Sequence, residues 1–96
     1  MMPSTTQIDK TSTTPWFIYI VQCSDDSFYT GITTDIQRRI NEHNQNSGKG
    51  ARYTRTRQPV ALVYQERAIN RAEASRREYA IKQLSRHAKL ILIKNN

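Results

Sequence analysis

Residues 17–43 read FIYIVQCSDDSFYTGITTDIQRRINEH. The run FIYIVQ has the β-branched and aromatic content of a buried strand, CSDDS that of a turn, and FYTGIT that of a second strand. Residues 16–32 are therefore predicted as a β-hairpin. Its register decides what the two tyrosines can do. A two-residue loop at Asp25-Asp26 puts Tyr29 opposite Gln22, on the other face from Tyr19. A three-residue loop puts Tyr29 opposite Cys23, so that Tyr19, Val21 and Tyr29 share one face. The turn residues alone are compatible with either.

Working outward, TDIQRRINEHNQ is predicted as a helix, with Thr34 and Gln37 as a capping box and Gly48 just past its end. The segment NSGKGARYTRTRQP is punctuated by Gly and Pro and reads as a flexible loop carrying Lys49, Arg52, Arg55 and Arg57 around Tyr53. VALVYQ alternates as a third strand after Pro59. From Asn70, NRAEASRREYAIKQL is a second helix with Asn70 and Glu73 as cap partners. Ser85 caps a last short helix, RHAKLILI, whose leucine and isoleucines close the core. The expected class is α+β, in the order β-β-α-β-α-α, with a three-stranded antiparallel sheet flanked by helices.

The chain has 96 residues and one cysteine. That length supports a single domain over residues 15–94, preceded by a disordered polar leader, 1–14, without the charged start and apolar centre of a secretory signal. A lone Cys23 excludes disulfide stapling and suits a cytoplasmic location. No apolar run approaches the ~18 residues of a membrane span. Charge is uneven: residues 1–37 hold one Lys and four Asp, and residues 38–96 hold fourteen Lys or Arg and four Glu. A polyanion is the expected partner, with nucleic acid ahead of an anionic membrane.

Helical geometry sorts the charged side chains. With ~100° per residue, Arg39 and His43 are neighbours bordering the apolar stripe of Ile36 and Ile40, while Arg38 points roughly 160° away into solvent. On the second helix Glu78 borders the stripe of Ala74 and Ile81. Amid Arg76, Arg77 and Lys82, Glu78 alone reads as an ion-pair partner.

Tyr19 in FIYI, YTG at Tyr29–Gly31, Arg39 and His43 on the next helix and Glu78 on a later one together resemble the GIY-YIG nuclease domain, most closely its short stand-alone bacterial members. The chain is also similar to the catalytic domains of nucleases that cut branched DNA or make incisions in excision repair. The resemblance spans Trp16 to Leu92. The first triad departs from the pattern, reading Phe-Ile-Tyr, and the second reads Tyr-Thr-Gly; both phenols and Gly31 are kept. The resemblance implies that both tyrosines meet at one site, which selects the three-residue loop.

The implied activity is metal-dependent hydrolysis of DNA phosphodiester bonds at branched, nicked or damaged positions, in repair or recombination. Arg39 presents a fixed fork of donors suited to phosphate oxygens. Glu78 is a hard oxygen ligand for one Mg²⁺ or Mn²⁺, with no second carboxylate to build a two-metal site. The resemblance points to Tyr19 as the group that activates water, with Tyr29 and His43 positioning water and phosphate; His43 is the intrinsically better base and the rival. Arg39 and the metal are expected to lower the phenol's pKa. Gly31 is expected to let the backbone approach the substrate or the helix start. Arg38, Lys49, Arg52, Arg55 and Arg57 are expected to track phosphates, and Tyr53 to stack on an unpaired base. Cys23 reads as packing, and His87 has no zinc-ligand spacing.

Two other readings keep the same fold: a nucleic-acid-binding module without turnover, and an RNA-directed nuclease. Nothing in the sequence reads a 2′-hydroxyl, so RNA stands behind DNA. No protein partner is implied.

Overall fold

The computed structural model describes residues 14–45 and 48–95; the expected leader, apart from Thr14, lies outside the described residues. The elements are β1 (Trp16–Gln22), β2 (Phe28–Thr33), α1 (Ile36–His43), α2 (Arg52–Arg55), β3 (Ala61–Ala68), α3 (Arg71–Lys82) and α4 (Arg86–Lys94). The sheet is antiparallel in the order β2-β1-β3. This is the α+β architecture expected, with one addition: the segment read as a flexible loop contains the single turn α2.

β1 is the central strand and has both faces covered, which explains its unbroken apolar run. Ile18, Tyr19, Ile20 and Val21 are all essentially inaccessible. On one face Ile18 and Ile20 pack with Tyr64, Ala74 and Ile81, and Leu92 and Ile93 of α4 close over them. Tyr19, Val21, Cys23 and Val60 form the other face, covered by Ile36 and Ile40 of α1. Burying each of these aliphatic side chains contributes about 1.5–3 kcal/mol, so the two thin layers hold the sheet from both sides.

The hairpin has a three-residue loop, Ser24-Asp25-Asp26. Cys23 N–H donates to the Ser27 carbonyl at 2.8 Å and Asp26 N–H to the Cys23 carbonyl at 2.9 Å. Asp26 takes the left-handed conformation at φ 68°, as the third residue of such a loop must, and Asp tolerates it. The expected partner of Tyr29 is corrected: it lies opposite Val21, not Cys23. The loop begins one residue earlier than read. Because the displacement in pairing is two residues, Tyr19, Val21 and Tyr29 stay on one face.

The helix starts also differ in one place. α1 is capped by Asp35, whose carboxylate accepts from Arg38 N–H at 3.0 Å. Thr34 and Gln37 do not form the expected capping box: Gln37 instead donates to Asn41. Asp35 carries the extended backbone of a cap, and its carboxylate serves as well as a Thr hydroxyl. Asn70 and Ser85 cap α3 and α4 as expected. Among the described residues no helix is long and apolar enough to cross a membrane.

Candidate functional site

The site grows from the cross-strand pair Tyr19–Gly31. Tyr19 projects from the buried central strand and its ring lies across β2 at Gly31. A Cβ added to Gly31 would stand 2.5 Å from Tyr19 Oη and 2.7 Å from Cζ. Gly31 is therefore needed to make room for the phenol.

The phenol ends at His43, the last residue of α1. Tyr19 Oη is 2.8 Å from His43 Nε2, and His43 is fully buried. On its far side His43 Nδ1 lies 2.8 Å from Thr54 Oγ1. The Thr54 hydroxyl donates to the Ala51 carbonyl at 3.0 Å, so it accepts from Nδ1–H. That assigns the tautomer: Nε2 is the acceptor, and Tyr19 O–H donates to it. A four-member chain, Tyr19–His43–Thr54–Ala51, results, and Thr54 is as buried as His43.

Thr54 reaches His43 because the α1–α2 connection folds back on α1. A Cβ at Gly50 would come within 2.9 Å of the Glu42 carbonyl. Arg39 Nη1 donates to the Lys49 carbonyl at 2.8 Å, and Gln58 donates to the His43 carbonyl at 2.8 Å. The segment is thus pinned at three points.

Electrostatics follow from burial. Burial pushes His43 down to about 4, with the Arg39 charge acting in the same direction; the imidazole is neutral at pH 7, as the hydrogen bonds require. Burial pushes Tyr19 up to about 12, against the hydrogen bond and charge of Arg39. Arg39 pulls the phenol's pKa down as expected, but in the protein alone desolvation of a buried phenolate is the larger effect.

Arg39 stands at the rim, its side chain 24% exposed, held by Glu42 at 2.9 Å. Tyr29 belongs to the same cluster: its ring centroid is 5.4 Å from that of His43 and 6.5 Å from that of Tyr19. Glu78 comes from α3, on the opposite face of the sheet, yet is close enough that its charge acts on the Tyr19 hydroxyl. It is paired with Lys82 at 3.2 Å, and Lys82 Nζ is 6.0 Å from the Tyr29 ring centroid. The two helical layers therefore meet at the β2 edge of the sheet.

The basic segment is less uniform than its sequence suggests. Arg38, Lys49, Arg52 and Arg55 are exposed. Arg57 is instead committed within the protein, to Asp25 at 3.0 Å and the Tyr53 carbonyl at 2.8 Å, tying the hairpin loop to α2. Tyr53 stacks on Tyr29, centroids 6.0 Å apart, and is capped by Arg57 at 4.0 Å. Its ring buttresses Tyr29 with one face and meets Arg57 with the other, so any contact with an unpaired base falls to its edge. The ion pair expected for Glu78 is found with Lys82, at i+4. Sequence reading missed Thr54 and Glu42; Thr54 carries no local signal, because its partner is eleven residues away and only the fold joins them.

Among the described residues no three His, Cys, Asp or Glu side chains gather as a ligand cluster. A lone carboxylate fits one kind of ion: a small hard cation that keeps most of its waters and shares substrate phosphate oxygens. Glu78 suits Mg²⁺ or Mn²⁺ in that mode and does not suit a Cys/His-ligated zinc.

Comparison with known proteins agrees with this geometry. The profile of the GIY-YIG catalytic domain matches residues 15–90. A UPF0213 protein of Desulfotalea psychrophila is 61% identical over 88 residues, covering 92% of this chain and 79% of the relative. The solution NMR structure of a UPF0213 protein from Bacillus halodurans superposes with a TM-score of 0.55 at 46% identity, covering 85% of each chain. A second NMR structure, of a protein from E. faecalis, gives 0.57 at 41% identity and 84% of each chain. The matched domain points to nuclease activity and a nucleic-acid substrate.

Proposed function

The chain belongs to the GIY-YIG family, and from that premise we propose that it is a divalent-metal-dependent endonuclease that hydrolyses DNA at branched, nicked or damaged positions, acting in the cytoplasm in repair or recombination. The observation that carries this reading is the buried chain from Tyr19 through His43 and Thr54 to the Ala51 carbonyl, with the Arg39 guanidinium beside its phenol end.

His43 is fully buried and Tyr19, 1% exposed, stands between it and Arg39, so in this reading a proton reaches His43 through the Tyr19 hydroxyl once water and phosphate are drawn to the Arg39 side of the phenol. In the proposed step, water attacks phosphorus and gives its proton to Tyr19 Oη while Tyr19 passes its own proton to His43 Nε2. The imidazolium that forms keeps Nδ1–H on Thr54. Tyr19 is then the contact group and His43 the proton store, which joins the two candidate bases in one relay. Arg39 offers its guanidinium to the non-bridging oxygens as charge builds on phosphorus. Tyr29 packs beside His43 and orients the phosphate. Glu78 would hold the Mg²⁺ or Mn²⁺ ion, which supplies charge neutralisation at the departing oxygen. Arg38, Lys49, Arg52 and Arg55, exposed on one segment and the adjoining helix, track the backbone. Among the described residues no element stands apart from the sheet and its helices to enter a groove and read bases, so in this reading selectivity rests on DNA shape.

Incubation of the protein with branched, nicked and linear DNA and with RNA, in Mg²⁺, Mn²⁺ or EDTA, tests the reading. Cleavage of branched or nicked DNA with either ion, and none in EDTA, is expected. Intact DNA in every ion with binding retained would favour the non-catalytic module, and preferential cutting of RNA would replace DNA as the substrate.

A further inference from the structure

Beside the catalytic cluster, along the outer edge of β2, lies a hollow of about 200 Å³ lined by Phe28, Tyr29, Thr30, Tyr53, Lys82 and Lys89. We propose that this hollow is a subsite for one unpaired nucleotide of a DNA strand, next to the phosphate held at Tyr19 and Arg39. The proposal rests on the nuclease reading and narrows its substrate to DNA with an unpaired nucleotide beside the cut.

Three features of the hollow agree on that occupant. One wall is aromatic: Tyr29 and Tyr53 lie nearly parallel, 21° apart, held in place by Arg57. Such a wall offers a base the Tyr29 face on its Lys82 side and the edge of Tyr53, whose own faces lie on Tyr29 and Arg57, without reading the base's identity. The other wall brings two ammonium groups from two different helices, Lys82 of α3 and Lys89 of α4, which suits a phosphate flanking that base. β2 is an edge strand, so the backbone groups on its outer side remain for hydrogen bonds to base or sugar. At about 200 Å³ the hollow is smaller than the ~300–1,000 Å³ pockets that enclose a drug-sized ligand. A hollow of that size suits a single base.

Position gives the hollow its function. Tyr29 is shared with the cluster around His43, and Lys82 is the ion-pair partner of Glu78. A nucleotide seated here would put its neighbouring phosphate at the Arg39 rim and draw the Lys82 ammonium from Glu78 toward its own phosphate. Occupancy would thereby leave the Glu78 carboxylate open to a cation only when an unpaired nucleotide is present.

The test uses the full chain in EDTA, so that it reads binding without turnover. Two duplexes are compared by fluorescence anisotropy: one fully paired, one carrying a single unpaired 2-aminopurine nucleotide. Stacking against an aromatic wall predicts tighter binding of the second by roughly 5- to 150-fold, with quenching of the 2-aminopurine. Lys89→Gln should lower the salt slope of log K by about 0.9 on the unpaired duplex and leave the paired duplex unchanged, and Lys89→Arg should restore it. Equal affinity for the two duplexes, an unquenched probe, or the same loss on both in Lys89→Gln would overturn the subsite. Such a failure leaves metal-dependent cleavage untouched, whereas absence of cleavage on every substrate would defeat the nuclease reading and leave this binding result standing.

Discussion

Replacing Thr54 by Val removes one hydroxyl from a fully buried position and changes little else in shape. Two hydrogen bonds go with it, the 2.8 Å contact with His43 Nδ1 and the 3.0 Å contact with the Ala51 carbonyl. A buried donor left without an acceptor costs about 1–3 kcal/mol. His43 can avoid that cost by moving its proton to Nε2, but Nε2–H then donates to Tyr19 and the phenol can no longer pass its proton along. Either outcome disables the relay. At ~1.36 kcal/mol per decade, 1–3 kcal/mol corresponds to a roughly 5- to 150-fold slower chemical step. Single-turnover cleavage at saturating metal reads that step, and anisotropy in EDTA shows that DNA binding is retained. Thr54→Ser keeps the hydroxyl and should restore most of the rate. Equal rates for the wild type, Val and Ser variants, or equal losses in Val and Ser, would refute the role of the hydroxyl.

Further outcomes follow from the same geometry. Arg39→Ala should slow cleavage by roughly 10²–10³-fold, as for loss of one preorganised charge stabiliser, while Glu78→Gln should abolish metal-dependent cleavage and spare binding in EDTA; wild-type rates in either variant would take that residue out of the mechanism. Gly31→Ala drives a methyl into the Tyr19 ring, an overpacking that should cost about 1–3 kcal/mol in urea unfolding and displace the phenol from His43; wild-type stability would show that the ring can yield. His43 is held down to about 4 from its ordinary 6.5, so between those values the unfolded chain binds the extra proton and stability falls as pH falls. The difference is on the order of 3 kcal/mol when integrated to pH 4. Urea midpoints at pH 7, 5.5 and 4.5 should decline in the wild type and less in His43→Gln; parallel declines would show that another group is responsible.

Strand and helix placement was legible because each signal is local: the apolar run of β1, the Asn70 and Ser85 caps, the helical spacing of Arg39 and His43. The parity of the hairpin came from the resemblance, since the turn residues allow either, and the exact partner of Tyr29 depended on where the loop begins, with Asp26 taking the left-handed turn. The short helix α2 was not legible. Four residues between glycines and Pro59 carry no helical periodicity, and their conformation depends on Arg57 reaching Asp25 and on Gly50 lying against α1. Long-range hydrogen bonds explain the other misses. Thr54 looks like any loop threonine until the chain returns it to His43, and Arg57 looks like its basic neighbours until Asp25 claims it. On the Tyr19 pKa the downward pull of Arg39 can be read from spacing, whereas the depth of burial that outweighs it in the protein alone cannot.

Most direct of all is the single-turnover rate of Tyr19→Phe on cleavable DNA, measured beside its unfolding midpoint and its DNA affinity in EDTA. The substitution deletes one oxygen and leaves the ring that packs over Gly31. The relay predicts a fall in rate of at least ~10²-fold, at the lower end of what general acid–base groups contribute, with affinity unchanged. A Tyr19→Phe protein that folds, binds and cuts at the wild-type rate would contradict it.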